Sequence, residues 1–235
     1  MSTDFSSKIH HWLGVDPNPV SHAEKAVATL GAFFGIFLTT WVSLQVVELP
    51  VAIMIVGSMG ASAVLLFAVP HGQLSQPWAM FGGHIISAIV GVSCAKFAPG
   101  LLFSAALAVA LAVAAMHITR CIHPPGGATA LIAVIGGSDI HALGYSYAIM
   151  PVGINVLVML AVAIIFNYLF VWRRYPAALH ARHALPKDEP DGITIKDIEH
   201  ALHALDTPVD VTEGELQLIY QLAEQHAAER HENKL

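Results

Sequence analysis

Between residues 26 and 172 the chain alternates long apolar runs with short polar or proline-marked breaks, and only four charged side chains interrupt it: Glu48, Lys96, Arg120 and Asp139. A helix crossing a membrane needs roughly 20 apolar residues, and hydrocarbon accepts only helices or closed barrels. The runs are too long, and too poor in period-2 alternation, for barrel strands. The pattern therefore predicts six helices. The first covers 24–47, ended by Glu48 and Pro50; the second covers 51–69, ended by Pro70. The third and fourth cover 78–97 and 100–117. The fifth, 126–136, is short and glycine-flanked, so it fits either a span or a re-entrant half-helix. The sixth covers 145–172 and is stopped by Arg173 and Arg174.

Charge divides the 235 residues into unlike parts. Up to Tyr175 there are six basic and five acidic residues, a net of +1; from Pro176 onward there are five basic and twelve acidic, a net of −7. This predicts an all-α polytopic membrane bundle with three parts: a cytoplasmic N-terminal segment (1–23), a transmembrane domain (24–175) and an acidic cytoplasmic helical tail (176–235). With six spans, Lys8, Lys25, Arg120, Arg173 and Arg174 share one side with both termini, and the Lys/Arg bias places that side in the cytoplasm, as expected for a multi-pass protein of the cell's inner membrane. Lys96 dissents and is accommodated if it snorkels. No cluster is basic enough for nucleic acid. The opening MSTDFSSKIHHW has no apolar run, so no cleavable leader is expected. Cys94 and Cys121, the two cysteines, sit in apolar stretches and read as small packing residues rather than a disulfide framework.

An internal echo runs through the apolar part. Gly60-Ala61-Ser62-Ala63-Val64-Leu65 is answered 67 residues later by Gly127-Ala128-Thr129-Ala130-Leu131-Ile132. Helices 1–3 and 4–6 as repeats would stand in opposite orientations, the inverted-repeat arrangement of many transporters; small residues also recur in any close-packed membrane bundle. In the tail, Thr194 opens a helix with Ile195, Ile198, Leu202 and Leu205 on one face, and Thr212-Glu213-Gly214-Glu215 is a capping-box start to a second with Leu216, Ile219 and Leu222 in line.

Three segments carry a resemblance: Gly57-Ser58-Met59-Gly60-Ala61-Ser62-Ala63-Val64-Leu65-Leu66-Phe67; Gln76-Pro77 through Gly83-His84-Ile85-Ile86-Ser87-Ala88; and His123-Pro124-Pro125-Gly126-Gly127-Ala128-Thr129-Ala130-Leu131. In combination they resemble the HPP family of integral membrane proteins, named for the tripeptide at residues 123–125, over roughly 24–176. The resemblance implies a transporter, and its plastid and cyanobacterial members imply nitrite as cargo. Trp78-Ala79 departs from the family pattern, which often has a basic residue and then Asn after Gln-Pro.

Proline lacks an N–H, and the residue before it is pushed from helical geometry, so His123-Pro124-Pro125 is expected to start a helix inside the membrane. The N–H groups of Gly126, Gly127 and Ala128 would then be free to hold an anion, with glycine allowing close approach. A matching break at 57–62, around Gly60, would bring a second half-helix end to the same place. Thr129, Ser62 and Ser87 are candidate hydroxyl donors. His123 is either a ligand or proton carrier, or an imidazole bonded to a freed carbonyl. His84 in the third helix is expected to face the bundle interior. Arg120 either draws anions to the mouth or marks topology.

The expected function is a transporter or channel for a small monovalent anion, homo-oligomeric, with no cofactor, no bound metal and no enzymatic activity. Glycine faces at Gly82-Gly83 and Gly91 would permit close packing within or between subunits. The competing classes are a membrane sensor or scaffold acting through its tail, and a metal transporter or intramembrane metal enzyme. No zinc-protease spacing occurs among the 14 histidines; His180 with His183, and His200 with His203, read as solvated helix faces. An aqueous path lined by His123, His84 and Ser/Thr groups would mark transport. Mutual hydrogen bonds sealing them would mark a scaffold.

Overall fold

The computed structural model describes Leu13, residues 21–179, Leu216 and residues 218–220. Seven helices organise it: α1 (His22–Val46), α2 (Leu49–Ala68), α3 (Pro77–Phe97), α4 (Leu101–Ile118), α5 (Pro124–Ile135), α6 (Gly137–Leu143) and α7 (Ile154–Tyr168). No strand occurs among the described residues. α1 to α4 and residues 148–168 are each long and apolar enough to cross a membrane, and α5 with α6 forms a sixth, broken passage bent by 103°. Leu216 and residues 218–220 are helical, as expected for the second tail helix; the first tail helix and the paired tail histidines lie outside the described residues.

The outer helices are built inside out relative to a soluble protein. α1 turns Phe33, Phe37 and Trp41 outward and buries Gly31, Gly35, Thr39 and Ser43, a stripe with a four-residue repeat. α4 does the same with Ser104, Ala108, Ala112 and Met116. In lipid the apolar surface has no reason to hide, so small residues face inward and let backbones approach. At Gly35 a Cβ would fall 2.6 Å from the Phe67 ring and 2.9 Å from Met159 Sδ, so the bare glycine makes room for that core.

Cross-links fix which ends share a side. Arg173 pairs with Glu24 at the start of α1 and donates to Phe67 O at the end of α2. Tyr175 Oη donates to Ser75 O, Trp78 Nε1 to Thr119 O, and His123 Nδ1 to Leu74 O. On the other side Ser93 meets Tyr145 at 3.0 Å and Lys96 Nζ lies 5.0 Å above the Tyr145 ring. The chain segment 123–145 thus starts on the first side and ends on the second, so the short helix belongs to a broken passage and not to a re-entrant loop. The ends of the described membrane part lie on one side.

Length explains how twelve residues suffice. Ser62 lies six residues before the end of α2 and His84 seven after the start of α3, which places both about 10 Å in from the helix ends at 1.5 Å per residue. His123 touches Ser62, so α5 begins at that depth. Its twelve residues then rise about 18 Å, most of the way across an apolar layer of about 30 Å. The bend to α6 follows at Gly136-Gly137, where Gly137 has φ +77°, a left-handed conformation that glycine adopts without a Cβ clash.

Two expectations need correction. The last helix does not run unbroken over 145–172: it opens with a distorted turn at Ala148–Gly153, where Met150 is extended (φ −126°, ψ 113°) ahead of Pro151, and ends at Tyr168. The residue before proline is driven to that extended region, and the pattern of hydrophobicity passes over it because Met and Pro are both apolar. Nor is there a break at 57–62. α2 is continuous, and Pro50 sits in its first turn and does not terminate the helix before it. Gly57 and Gly60 cost the helix some propensity, but with no proline among them the backbone ladder persists where no water could replace it.

Candidate functional site

Where α2, α3 and α5 meet, four fully buried polar side chains are bonded to one another: Ser62, His84, His123 and Thr129. His123 caps the start of α5 in extended conformation (φ −142°, ψ 103°), as a residue before proline must. Its ring points back to the turn between α2 and α3, where Nδ1 donates to Leu74 O at 2.8 Å. Its Nε2 lies 2.9 Å from Ser62 Oγ. The same Ser62 Oγ lies 2.9 Å from His84 Nε2, and His84 Nδ1 is 2.7 Å from Thr129 Oγ1. The two imidazoles stand edge to face with centroids 5.0 Å apart. Tyr147 Oη, from the start of the last passage, donates to Thr129 O. His84 therefore does face the interior.

Close backbone contact makes this cluster possible. A Cβ on Gly83 would fall 2.6 Å from His123 Cβ, and one on Gly126 would fall 2.6 Å from Gly83 O and 2.9 Å from Ser87 Oγ. On Gly91 it would fall 2.5 Å from Ala130 O. The glycine faces of α3 are thus occupied by α5 and the segment leading into it, within the chain. Ser87 Oγ is fully buried beside Gly126 and makes no hydrogen bond.

The echo acquires a meaning here. The offset that pairs Gly60 with Gly127 also pairs Ser62 with Thr129, and these are the two hydroxyls that hold the two nitrogens of His84. They come from unlike elements, one in the middle of a continuous helix and one in the second turn of a short one.

The remaining sequence candidates separate. Pro125 and Gly126 are buried at the junction, whereas Pro124 is exposed and Gly127 looks toward Val109 of α4, its nearest neighbour at 3.9 Å. Gly60 has open space where a Cβ would stand. Arg120 is exposed after α4 with φ 54°. The expectation of three free N–H groups at the head of α5 is also corrected. The helix starts at Pro124, so the two prolines fill its first two positions, where the unpaired donors of a helix belong. Gly126 N donates to His123 O at 2.8 Å, and Gly127 and Ala128 are the fourth and fifth residues of the helix, beyond the positions whose donors lack an intrahelical partner. Donors at this site are therefore side chains: Ser87, Ser62, Thr129 and the imidazoles.

Sequence reading missed a second buried polar assembly at the edge of the same side. Arg173 is 1% exposed; it donates through Nε and Nη2 to Asn167 Oδ1 (3.2 and 3.1 Å), through Nη2 to Phe67 O and through Nη1 to Glu24 Oε1. Trp172 Nε1 donates to Glu24 Oε2 at 2.8 Å. Burial pulls the Arg173 guanidinium below its usual value, and the Glu24 carboxylate beside it compensates its charge. The available signal was an acid at a helix start and an arginine just past the last apolar run, which topology rules read as surface charge.

On the opposite side a cavity of about 140 Å³ opens between Val92, Ala95, Lys96, Ala133, Ile140, His141 and Gly144. His141 Nε2 donates to Val134 O at 2.9 Å. Among the described residues no three of His, Cys, Asp and Glu converge as metal ligands.

A bundle of five full spans and one broken passage, with imidazoles and hydroxyls buried at the head of its short helix, defines an integral multi-pass membrane protein of the kind that keeps irregular backbone only inside protein. The family described as "HPP, transmembrane region" matches residues 17–176, and the chain belongs to it. Two transmembrane proteins of Dictyostelium discoideum are similar to it. One is 37% identical over 171 residues, covering 70% of this chain and 55% of the relative; the other is 34% identical over 173 residues, covering 70% and 60%. The chain thus spans little more than half the length of the relatives it matches. No solved structure matches.

Proposed function

We propose that this protein carries a small monovalent anion across the membrane in which it sits, and that the junction of α2, α3 and α5 is the point the anion must pass. The observation that carries the reading is the broken passage itself. It brings a helix start, two imidazoles and the unpartnered hydroxyl of Ser87 to one buried place about 10 Å below the helix ends. A buried hydroxyl without a partner forgoes about 1–3 kcal/mol that a ligand oxygen would restore. Nitrite is the first cargo to test, because of the family resemblance. In this arrangement the histidines close the way, so passage requires α5 to move against α2 or the rings to turn out of the path. The side bearing Lys25, Arg120 and Arg174 is then cytoplasmic.

The completeness of the Leu74–His123–Ser62–His84–Thr129 bonding favours a second reading, a membrane scaffold whose sealed centre passes nothing and whose tail recruits a partner. Proteoliposome flux of nitrite, nitrate, formate and chloride separates the two. Under the transport reading wild type shows selective, saturable flux, and His123→Ala changes its rate or selectivity. Folded protein that moves none of the four ions supports the scaffold.

A further inference from the structure

We propose that Ser62, His84 and His123 form a binding site for a single proton, built as a relay with one fixed direction when it is empty. The direction follows from the carbonyl at its end. Leu74 O can only accept, so His123 Nδ1 carries hydrogen. In the neutral ring Nε2 is then an acceptor, and Ser62 Oγ must donate to it. Ser62 has no second hydrogen, so its oxygen accepts from His84 Nε2–H. His84 Nδ1 is left as an acceptor, filled by the Thr129 hydroxyl. The two rings are thus held in opposite tautomers by a single hydroxyl between them.

Each hydroxyl also has a spare acceptor one helical turn back. Ser58 O lies 3.4 Å from Ser62 Oγ, and Pro125 O lies 3.4 Å from Thr129 Oγ1. A proton bound at His84 Nδ1 donates to Thr129 Oγ1, whose own hydrogen turns to Pro125 O. Transfer then runs by two coupled steps. His84 Nε2 gives its proton to Ser62 Oγ as Ser62 gives its hydrogen to His123 Nε2, and the His123 Nδ1–H bond to Leu74 O is kept. The charge has moved from α3 to the head of α5 and only protons have moved. Ser62 then donates the hydrogen it received back to His84 Nε2 and accepts from His123 Nε2–H. No polar atom is left unpaired in any of these states. A second proton would put two cations 5.0 Å apart on either side of one oxygen, out of reach of water, so the capacity is one.

Other titratable groups around the site do not compete. Tyr147 on the last passage donates to Thr129 O, Cys121 packs on Gly82, and Arg120 is exposed beyond α4; α2 and α5 present none. The site deepens the transport reading and rests on it only for its role, as the place of a proton that accompanies the anion.

The test uses the full chain in lipid nanodiscs with ¹⁵N-labelled histidine, the two rings assigned through His84→Asn and His123→Asn. At neutral pH the expected spectrum has His123 protonated at Nδ1 and His84 at Nε2, with uptake of one proton by the pair on acidification. In Ser62→Ala the opposite tautomers are no longer enforced, and Ser62→Thr, which keeps the hydroxyl, restores them. The same tautomer on both rings, or uptake of two protons, overturns the site whether or not Ser62→Ala can be reconstituted. Flux measured beside it separates the claims. Opposite tautomers without anion flux leave the relay and remove the transport reading; flux with like tautomers does the reverse.

Discussion

Two buried polar assemblies hold the same side of this bundle, and they differ in kind. At the edge, Arg173 and Glu24 are a full ion pair fixed by Asn167, Trp172 and the Phe67 carbonyl. Deeper, Ser62, His84, His123 and Thr129 are bonded without an ion pair, and each hydroxyl keeps a spare carbonyl. An ion pair held by five donor contacts has one arrangement. A chain of hydroxyls and imidazoles has several of nearly equal bonding, and that is where a proton can move. The first assembly joins α1, α2 and the segment after α7 into one body, and the second is suited to change state inside that body.

The largest effect is expected at the ion pair. Glu24→Ala leaves the Arg173 guanidinium, 1% exposed, without its counter-charge, and breaking a buried pair in this way costs about 3–5 kcal/mol. Thermal unfolding in detergent should show the loss. Arg173→Met should cost less, because the Glu24 side chain is 22% exposed and can reach water. Equal losses would mean that the arginine is not held by charge.

Next comes Gly126→Ala. The new methyl would meet the Gly83 carbonyl at 2.6 Å, and a backbone atom cannot swing aside, so α5 must move away from α3. Overpacking of this kind costs about 1–3 kcal/mol. It should also break the His84–Thr129 bond, visible as a change in the histidine ¹⁵N spectrum. A variant with wild-type stability and spectrum would show that the α3–α5 contact is looser than described.

Ser62→Ala should be milder, at about 1–2 kcal/mol, because the two Nε2 atoms lose their shared partner but each ring keeps its other bond. Denaturation of Ser62→Ala against Ser62→Thr isolates the hydroxyl from the volume. If alanine is as stable as threonine, the serine is not bonded to both rings.

Most of the bundle was legible in hydrophobic length alone, since apolar runs bounded by Pro50, Pro70 and the Arg173-Arg174 pair leave few other readings in lipid. The histidines that matter were legible too, one through its prolines and the other through its cost inside a span. What could not be read was which glycines serve a ligand, which serve a helix and which serve nothing. Residues 57–62 and 126–127 look alike as sequence, yet Pro124 and Pro125 precede only the second. The pairing of Glu24 with Arg173 was hidden because the two lie 149 positions apart and each resembles an ordinary interfacial charge.

That ambiguity gives the smallest and most discriminating comparison. Gly60 and Gly127 occupy the same place in the echo, and both stand in helices with room for a methyl group: nothing lies within 4 Å at Gly60, and only Val109 Cγ1 approaches Gly127, at 3.9 Å. Neither has the positive φ that would make alanine strained. Helix propensity then decides, and Gly60→Ala and Gly127→Ala should each leave stability unchanged or raise it by up to about 1 kcal/mol. Gly126→Ala, one residue away, should lose more than either gains. If Gly127→Ala instead abolishes anion flux at unchanged stability, the cargo approaches the α5 backbone on the side facing α4, and the path runs there and not between α3 and α5.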